Sequence, residues 1–130
     1  MLLSFQLLGG VNVKEDKCKN ASFQIQLLSK IIDMNKYPLI KLVIEKNIEQ
    51  NEYEDLFSLL ERLNDQYEQQ KEEGFLDFSS LLVEFAGMLN EKLSPDETIY
   101  ALRKEKYFPE LMDAFLKIIK EEKTRGKRRR

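Results

Sequence analysis

The sequence has no histidine and no tryptophan, one cysteine, five glycines and three prolines in 130 residues. Without histidine, Ser-His-Asp and Cys-His nucleophilic sites and every histidine-ligated metal site are excluded. The single Cys18 has no disulfide partner in the chain. Lys17 and Lys19 favour its thiolate, but no base or resolving cysteine accompanies it. The glycines at 9, 10, 74, 87 and 126 fit neither a phosphate-cradling loop nor a dinucleotide fingerprint. Acid–base work by the pairs Glu72 and Glu73 or Glu121 and Glu122 is disfavoured, because helix ends leave such carboxylates solvated. The expectation is a chain with no catalytic residues, no cofactor and no metal.

Long apolar runs are missing too. The opening "MLLSFQLLGGV" is the longest, and it falls short of the ~20 residues that a membrane-crossing helix needs. It also lacks the basic leader and small-residue cleavage site of an export signal, so a cytoplasmic location is expected. Residues 1–19 read as a flexible extension or, in part, as a mis-annotated start. In the second case the purine-rich codons for Gly9-Gly10 are a ribosome-binding site, and Val13 is the true initiator.

What is present favours helix. Hydrophobic residues make up 42% and charged residues 34%, enough for one domain that buries roughly two thirds of its unfolded surface. The pattern predicts an all-α fold, a compact irregular bundle of about five or six helices over residues 20–122. Phe23, Leu27, Leu28, Ile31 and Ile32 recur at three- and four-residue steps and mark a first helix over about 20–33. Pro38 suits the first turn of a second helix, with Asn47 as its C-terminal cap. Asn51 with Glu54 reads as the capping box of a third, whose stripe runs Tyr53, Leu56, Phe57, Leu60, Leu63, Tyr67 and which Gly74 ends. Asp77 caps a fourth, with Leu76 and Leu81 placed as a hydrophobic staple. "SPDE", Ser94 to Glu97, opens a fifth, and Pro109 opens a sixth with the stripe Leu111, Met112, Phe115, Leu116, Ile118 and Ile119.

Charge is uneven along the chain. The last eight residues, "KTRGKRRR", hold Lys123, Arg125, Lys127, Arg128, Arg129 and Arg130. Without these six cations, residues 1–122 carry 15 basic against 23 acidic groups, a net of −8 on a chain whose total is −2. The tail therefore reads as a disordered basic appendage to an acidic body. Any nucleic-acid contact would fall on those six residues, binding without sequence preference.

The segment from Gln24 to Ile119 resembles the YhaI-like family of small uncharacterised Bacillus proteins. Its most specific part is "EFAGMLNEKLSPDETIYAL", Glu84 to Leu102. The resemblance implies a compact all-helical fold and a bacterial cytosolic origin. It carries over no catalytic or binding residues.

Three features remain as candidates for contact with a partner. Ser79, Val83 and Gly87 form a row of small side chains at four-residue spacing. Its plain reading is close packing against another helix of the same chain, and its functional reading is self-association, as in a homodimer. Tyr37, Tyr107 and Phe108 stand beside prolines at helix starts, either holding those turns or, if exposed, anchoring a protein partner. Glu84 sits at the border of an apolar helix face and is expected to reach water or a nearby Lys or Arg. The function these features favour is a non-enzymatic protein-interaction or self-associating domain. The alternative is a nucleic-acid-associated accessory protein working through the tail.

Overall fold

The structure, a computed structural model, describes the backbone of residues 13–128 and the side chains of residues 19–125. Among these residues it is all helical, with six α-helices and one 3-10 turn, as the pattern predicts. They are α1 (Val13–Ile31), the turn Met34–Lys36, α2 (Pro38–Glu45), α3 (Gln50–Glu72), α4 (Ser79–Met88), α5 (Pro95–Lys104) and α6 (Pro109–Arg128). The chain divides into two compact units, Met1–Met34 and Asn35–Arg130.

The first unit contributes α1. It starts at Val13 rather than near Asn20, because "VKEDKCKN" is rich in residues with good helix propensity. The division expected after residue 19 therefore falls inside a helix, and the expectation for residues 1–12 lies outside the described residues. From Lys19 to Asp33 every residue is exposed, the apolar stripe included.

The second unit holds the core. Helix α2 contributes Leu39 and Leu42; α3 adds Leu56, Leu59, Leu60, Leu63 and Tyr67; and α4 adds Leu81 and Phe85. From α5 come Ile99, Ala101 and Leu102, and from α6 Leu111, Met112, Phe115 and Ile119. These residues recur at helical spacing on one face of each helix, so five amphipathic helices close around one apolar interior. Helix α5 packs on α2 and α6, and α4 packs on α3 and α6. The rings of Phe85 and Phe115 meet at 5.7 Å between centroids across α4 and α6. Thr98 is the buried polar side chain of this core, and its hydroxyl donates to the Ser94 carbonyl at 2.7 Å.

Three helices end alike. After α2, α3 and α5 the chain turns left-handed at Asn47 (φ 54°), Gly74 (φ 90°) and Lys106 (φ 67°). In each case the next amide reaches back to close the last turn. Ile48 N–H donates to Val43 O at 3.0 Å, Phe75 N–H to Gln70 O at 2.9 Å and Tyr107 N–H to Leu102 O at 2.9 Å. Asn47 and Gly74 suit this backbone, whereas Lys106 bears a Cβ in a region that L-residues avoid.

Helix starts differ more from the sequence reading. Helix α3 opens two residues early, with the Glu52 carboxylate accepting the Glu49 N–H at 2.9 Å, so the capping pair is Glu49 and Glu52 rather than Asn51 and Glu54. The N-cap of α4 is Phe78, not Asp77, and no side chain caps it; Asp77 lies one residue earlier and accepts from the Ser79 N–H at 3.0 Å and its hydroxyl at 2.6 Å. The staple beside it does not form, since Leu76 is 93% exposed. Helix α5 starts at Pro95 as "SPDE" predicts, with Asp96 and Glu97 in its first turn. Helix α6 continues to Arg128, so the backbone of Lys123 to Arg128 extends the helix of the last apolar stripe.

Candidate functional site

Helix α4 sets the geometry of the principal candidate surface. Leu81 and Phe85 turn inward, at 2% and 0% exposure, which fixes the opposite side of the helix outward. Ser79 is half-buried at its start, Val83 is 70% exposed, and a methyl group built on Gly87 would meet no described atom within 4 Å. The reading of this row as close packing within the chain is therefore corrected: the deeper apolar face of α4 takes the neighbours, and the small row is left outward. Met88, 61% exposed, lies on another side of the helix, toward Arg62 of α3.

Glu84 lies beside the row and is held by Arg62 of α3 in an ion pair. A second guanidinium nitrogen of Arg62 contacts the Met88 sulfur at 3.1 Å. The charge at the edge of this face thus has the cationic neighbour that the sequence reading anticipated. Helix α4 is pinned to α3 at the same point.

The aromatic residues at helix starts separate into two groups. Tyr37, before α2, is 45% exposed. Tyr107 and Phe108, before α6, instead pack on the core: Tyr107 meets the Phe57 ring edge-on at 5.0 Å, and Phe57 meets Tyr53 at 5.0 Å. Burial, reinforced by Tyr107 and Glu105 nearby, raises the Tyr53 phenol above its ordinary pKa of 10.0. Phe108 adopts φ 48° immediately before Pro109, which turns the chain sharply into α6. The two aromatics are packing residues, and Tyr37 alone of the three presents an open ring.

Two polar constellations tie distant segments together, and sequence reasoning missed both. The Glu105 carboxylate, at the end of α5, accepts the Leu39 N–H and, at 3.2 Å, the Ile40 N–H in the first turn of α2. The residue that closes one helix therefore caps another that lies more than sixty positions earlier. Glu52 of α3 is the second hub. It accepts from Asn90 Nδ2 at 2.7 Å and pairs with Lys92 Nζ at 2.8 Å, while the same ammonium reaches the Asn47 carbonyl at 3.2 Å. The Glu49 N–H, Lys92 and Asn90 together hold the Glu52 carboxyl down to about 2 from 4.5. Nothing in local spacing signals either arrangement, because both partners become neighbours only after folding.

A groove of about 560 Å³ lies between the α3–α4 connection and α6. Tyr67, Phe78, Ala114 and Ile118 form its apolar wall, and Asp77, Glu110, Asp113, Lys117, Glu121 and Arg125 its charged one. Several carboxylates here are engaged within the fold: Asp113 with Arg103 at 2.6 Å, Glu110 with Lys71 at 3.6 Å, and Asp77 with Ser79. The hydroxyl and N–H of Ser79 lower the Asp77 pKa, with a smaller contribution from Arg125.

Of the basic residues singled out at the C-terminus, Lys123 and Arg125 are exposed on α6, and Arg125 faces Glu122 at 3.8 Å. Lys127 and Arg128 continue the helical backbone, and Arg129 and Arg130 lie outside the described residues. Among the described residues no group of three Cys, Asp or Glu side chains could hold a metal ion. No described helix is long and apolar enough to cross a membrane. A family model described as a protein of unknown function, DUF1878, matches residues 11–120.

Proposed function

The chain belongs to this DUF1878 family, and we propose that it serves as a non-enzymatic, cytoplasmic protein-interaction domain, of the YhaI-like bacterial kind, that engages its partner through the outer face of α4. The observation that carries this reading is the outward row Ser79, Val83 and Gly87. A glycine inside a helix costs about 1 kcal/mol relative to alanine, and no described contact within this chain requires one at 87. An incoming helix or strand would find a shallow seat there, with Val83 as its apolar contact and the Arg62–Glu84 pair as a polar rim. Tyr37 is a separate exposed aromatic on the second unit.

The test is affinity capture of the tagged protein from its host, wild type against Val83→Asp and Gly87→Arg. Both positions are exposed, so thermal stability should change little while the specific partner is lost. An identical captured set from all three proteins would overturn the reading. The basic residues from Lys123 to Arg130 offer charge alone, so retention on DNA or RNA is expected to be weak and to fall steeply with salt.

A further inference from the structure

Helices α2 and α5 pack side by side and run antiparallel. Glu105, past the end of α5, caps the start of α2, and Lys92, just before α5, reaches the Asn47 carbonyl past the end of α2. Between the two helices runs a groove of about 340 Å³, floored by Leu42 and Ala101 and flanked by Pro38 and Tyr100. Beside it Tyr37, Ile40 and Ile44 follow one another at three- and four-residue steps as an apolar ridge on the outer side of α2, between 43% and 47% exposed. Groove and ridge both belong to the second unit.

The charges that line this groove are sorted by sign. In the antiparallel pair Lys41 of α2 lies level with Lys104 of α5, and Glu45 lies level with Glu97. Like charges therefore share each end, and none of the four has an ion-pair partner among the described residues. The macrodipole of α5 accounts for Glu97 in its first turn and Lys104 in its last. Helix α2 has the reverse pattern: Lys41 lies toward its positive end and Glu45 closes its negative end. Neither helix supplies the counter-charge, so each end of the groove is complemented only from outside. Of the nearby charges, Lys36 precedes α2 at the basic end and Asp96 opens α5 at the acidic end, while Lys46, past the end of α2, opposes the pattern and does not line the groove.

We propose that a second copy of this chain supplies those charges, the two α2–α5 surfaces pairing about a two-fold axis. The rotation reverses the groove end for end, so Lys41 and Lys104 of one copy face Glu45 and Glu97 of the other, and the same pairing repeats on the other side of the axis. With the axis between ridge and groove, the ridge of each copy lies in the groove of the other. A ridge beside a groove and a charge pattern that inverts on reversal are both self-complementary, which is why a copy fits where an arbitrary partner would have to reproduce both. With Tyr37, Ile40, Ile44 and Tyr100 as its large apolar contacts, the interface belongs to the weak, reversible class below about 1,200 Å² in total.

This goes beyond the α4 reading and does not rest on it. The experiment is sedimentation equilibrium of the full chain from about 10 µM to about 1 mM, where a small interface should show a monomer–dimer equilibrium that weakens as salt rises. Lys41→Glu with Lys104→Glu makes the groove wholly acidic, and Glu45→Lys with Glu97→Lys makes it wholly basic. Each variant alone should have its dissociation constant raised at least about tenfold, while an equimolar mixture of the two should associate as tightly as the wild type. Recovery in the mixture is a result that damaged folding does not give. Ile44→Asp should weaken association at any salt concentration, because it removes the ridge rather than the charges. A wild type that stays a single chain at about 1 mM, or reversed variants that keep their folded circular dichroism and do not pair with each other, would overturn the proposal. Val83→Asp on α4 and Ile31→Glu on α1 should leave the equilibrium unchanged, so failure on this surface is distinguishable from failure on the α4 face.

Discussion

Helix α6 buries Leu111, Met112 and Phe115 completely and leaves Ile119 only 8% exposed. Helix α1 repeats apolar residues at the same three- and four-residue steps, yet Phe23 stands 57% exposed and Ile31 79%. Periodicity reports that one side of a helix gains by leaving water. It does not report which surface will cover that side, because α6 finds α4 and α5 only through the tertiary arrangement. The same pattern therefore has two meanings in one chain: a core face in the second unit, and an open face in the first.

Deleting one ring in each region gives the largest contrast. Phe115→Ala should destabilise the second unit by about 3–5 kcal/mol in urea titration, from lost burial and the cavity left beside Phe85. Phe23→Ala should change that transition by less than about 0.5 kcal/mol, since the ring is largely in water. Equal losses would mean that α1 is covered by its own chain.

Helix identity and order were legible because each apolar stripe is long enough to declare its period, and because Asn47, Gly74 and "SPDE" carry local turn and cap chemistry. The outward direction of Ser79, Val83 and Gly87 was not legible. A row of small side chains looks the same whether a neighbour sits on it or not, and only the burial of Leu81 and Phe85 on the other side decides the matter. The α3 start was misplaced by two residues because Glu49 is an uncommon cap beside the more familiar Asn51. Glu105 was illegible for a sharper reason. An acid at the end of α5 has the wrong sign for that helix and the right sign for α2, which is its neighbour only in three dimensions.

That cap gives the next test. Glu105→Ala should cost the second unit about 1–2 kcal/mol in thermal or urea unfolding, with Glu105→Gln losing less because one acceptor oxygen remains. The helical content of α1 should not follow this loss, which would sharpen the separation of the two units.

A smaller effect of opposite sign is expected at Lys106. Replacing it with glycine removes a Cβ from left-handed backbone and should raise stability by about 1 kcal/mol, while Gly74→Ala should lower it by a similar amount. Both shifts should appear in the transition of the second unit.

The mildest test is acid. Glu52 is held near 2, below its ordinary 4.5, so its contribution is complete above pH 4.5 and is lost as pH falls from there through 2. The Lys92 ammonium, raised above 10.5 chiefly by its bond to Glu52, gives the complementary loss at alkaline pH. Lys92→Met should flatten the acid limb of the stability–pH curve. The response of α1, measured by helicity at the same pH values, should not track it.

The Glu105 clasp also sets a timetable. A cap drawn from the far end of the chain is absent while α2 first forms, so the first turn of α2 gains its acceptor only after α5 has docked. In hydrogen exchange the amides of Leu39 and Ile40 should open together with the end of α5, as one cooperative segment, rather than fray as an independent helix tip. In folding kinetics, Glu105→Ala should accelerate unfolding far more than it slows folding, which places the clasp among the last contacts made and the first released.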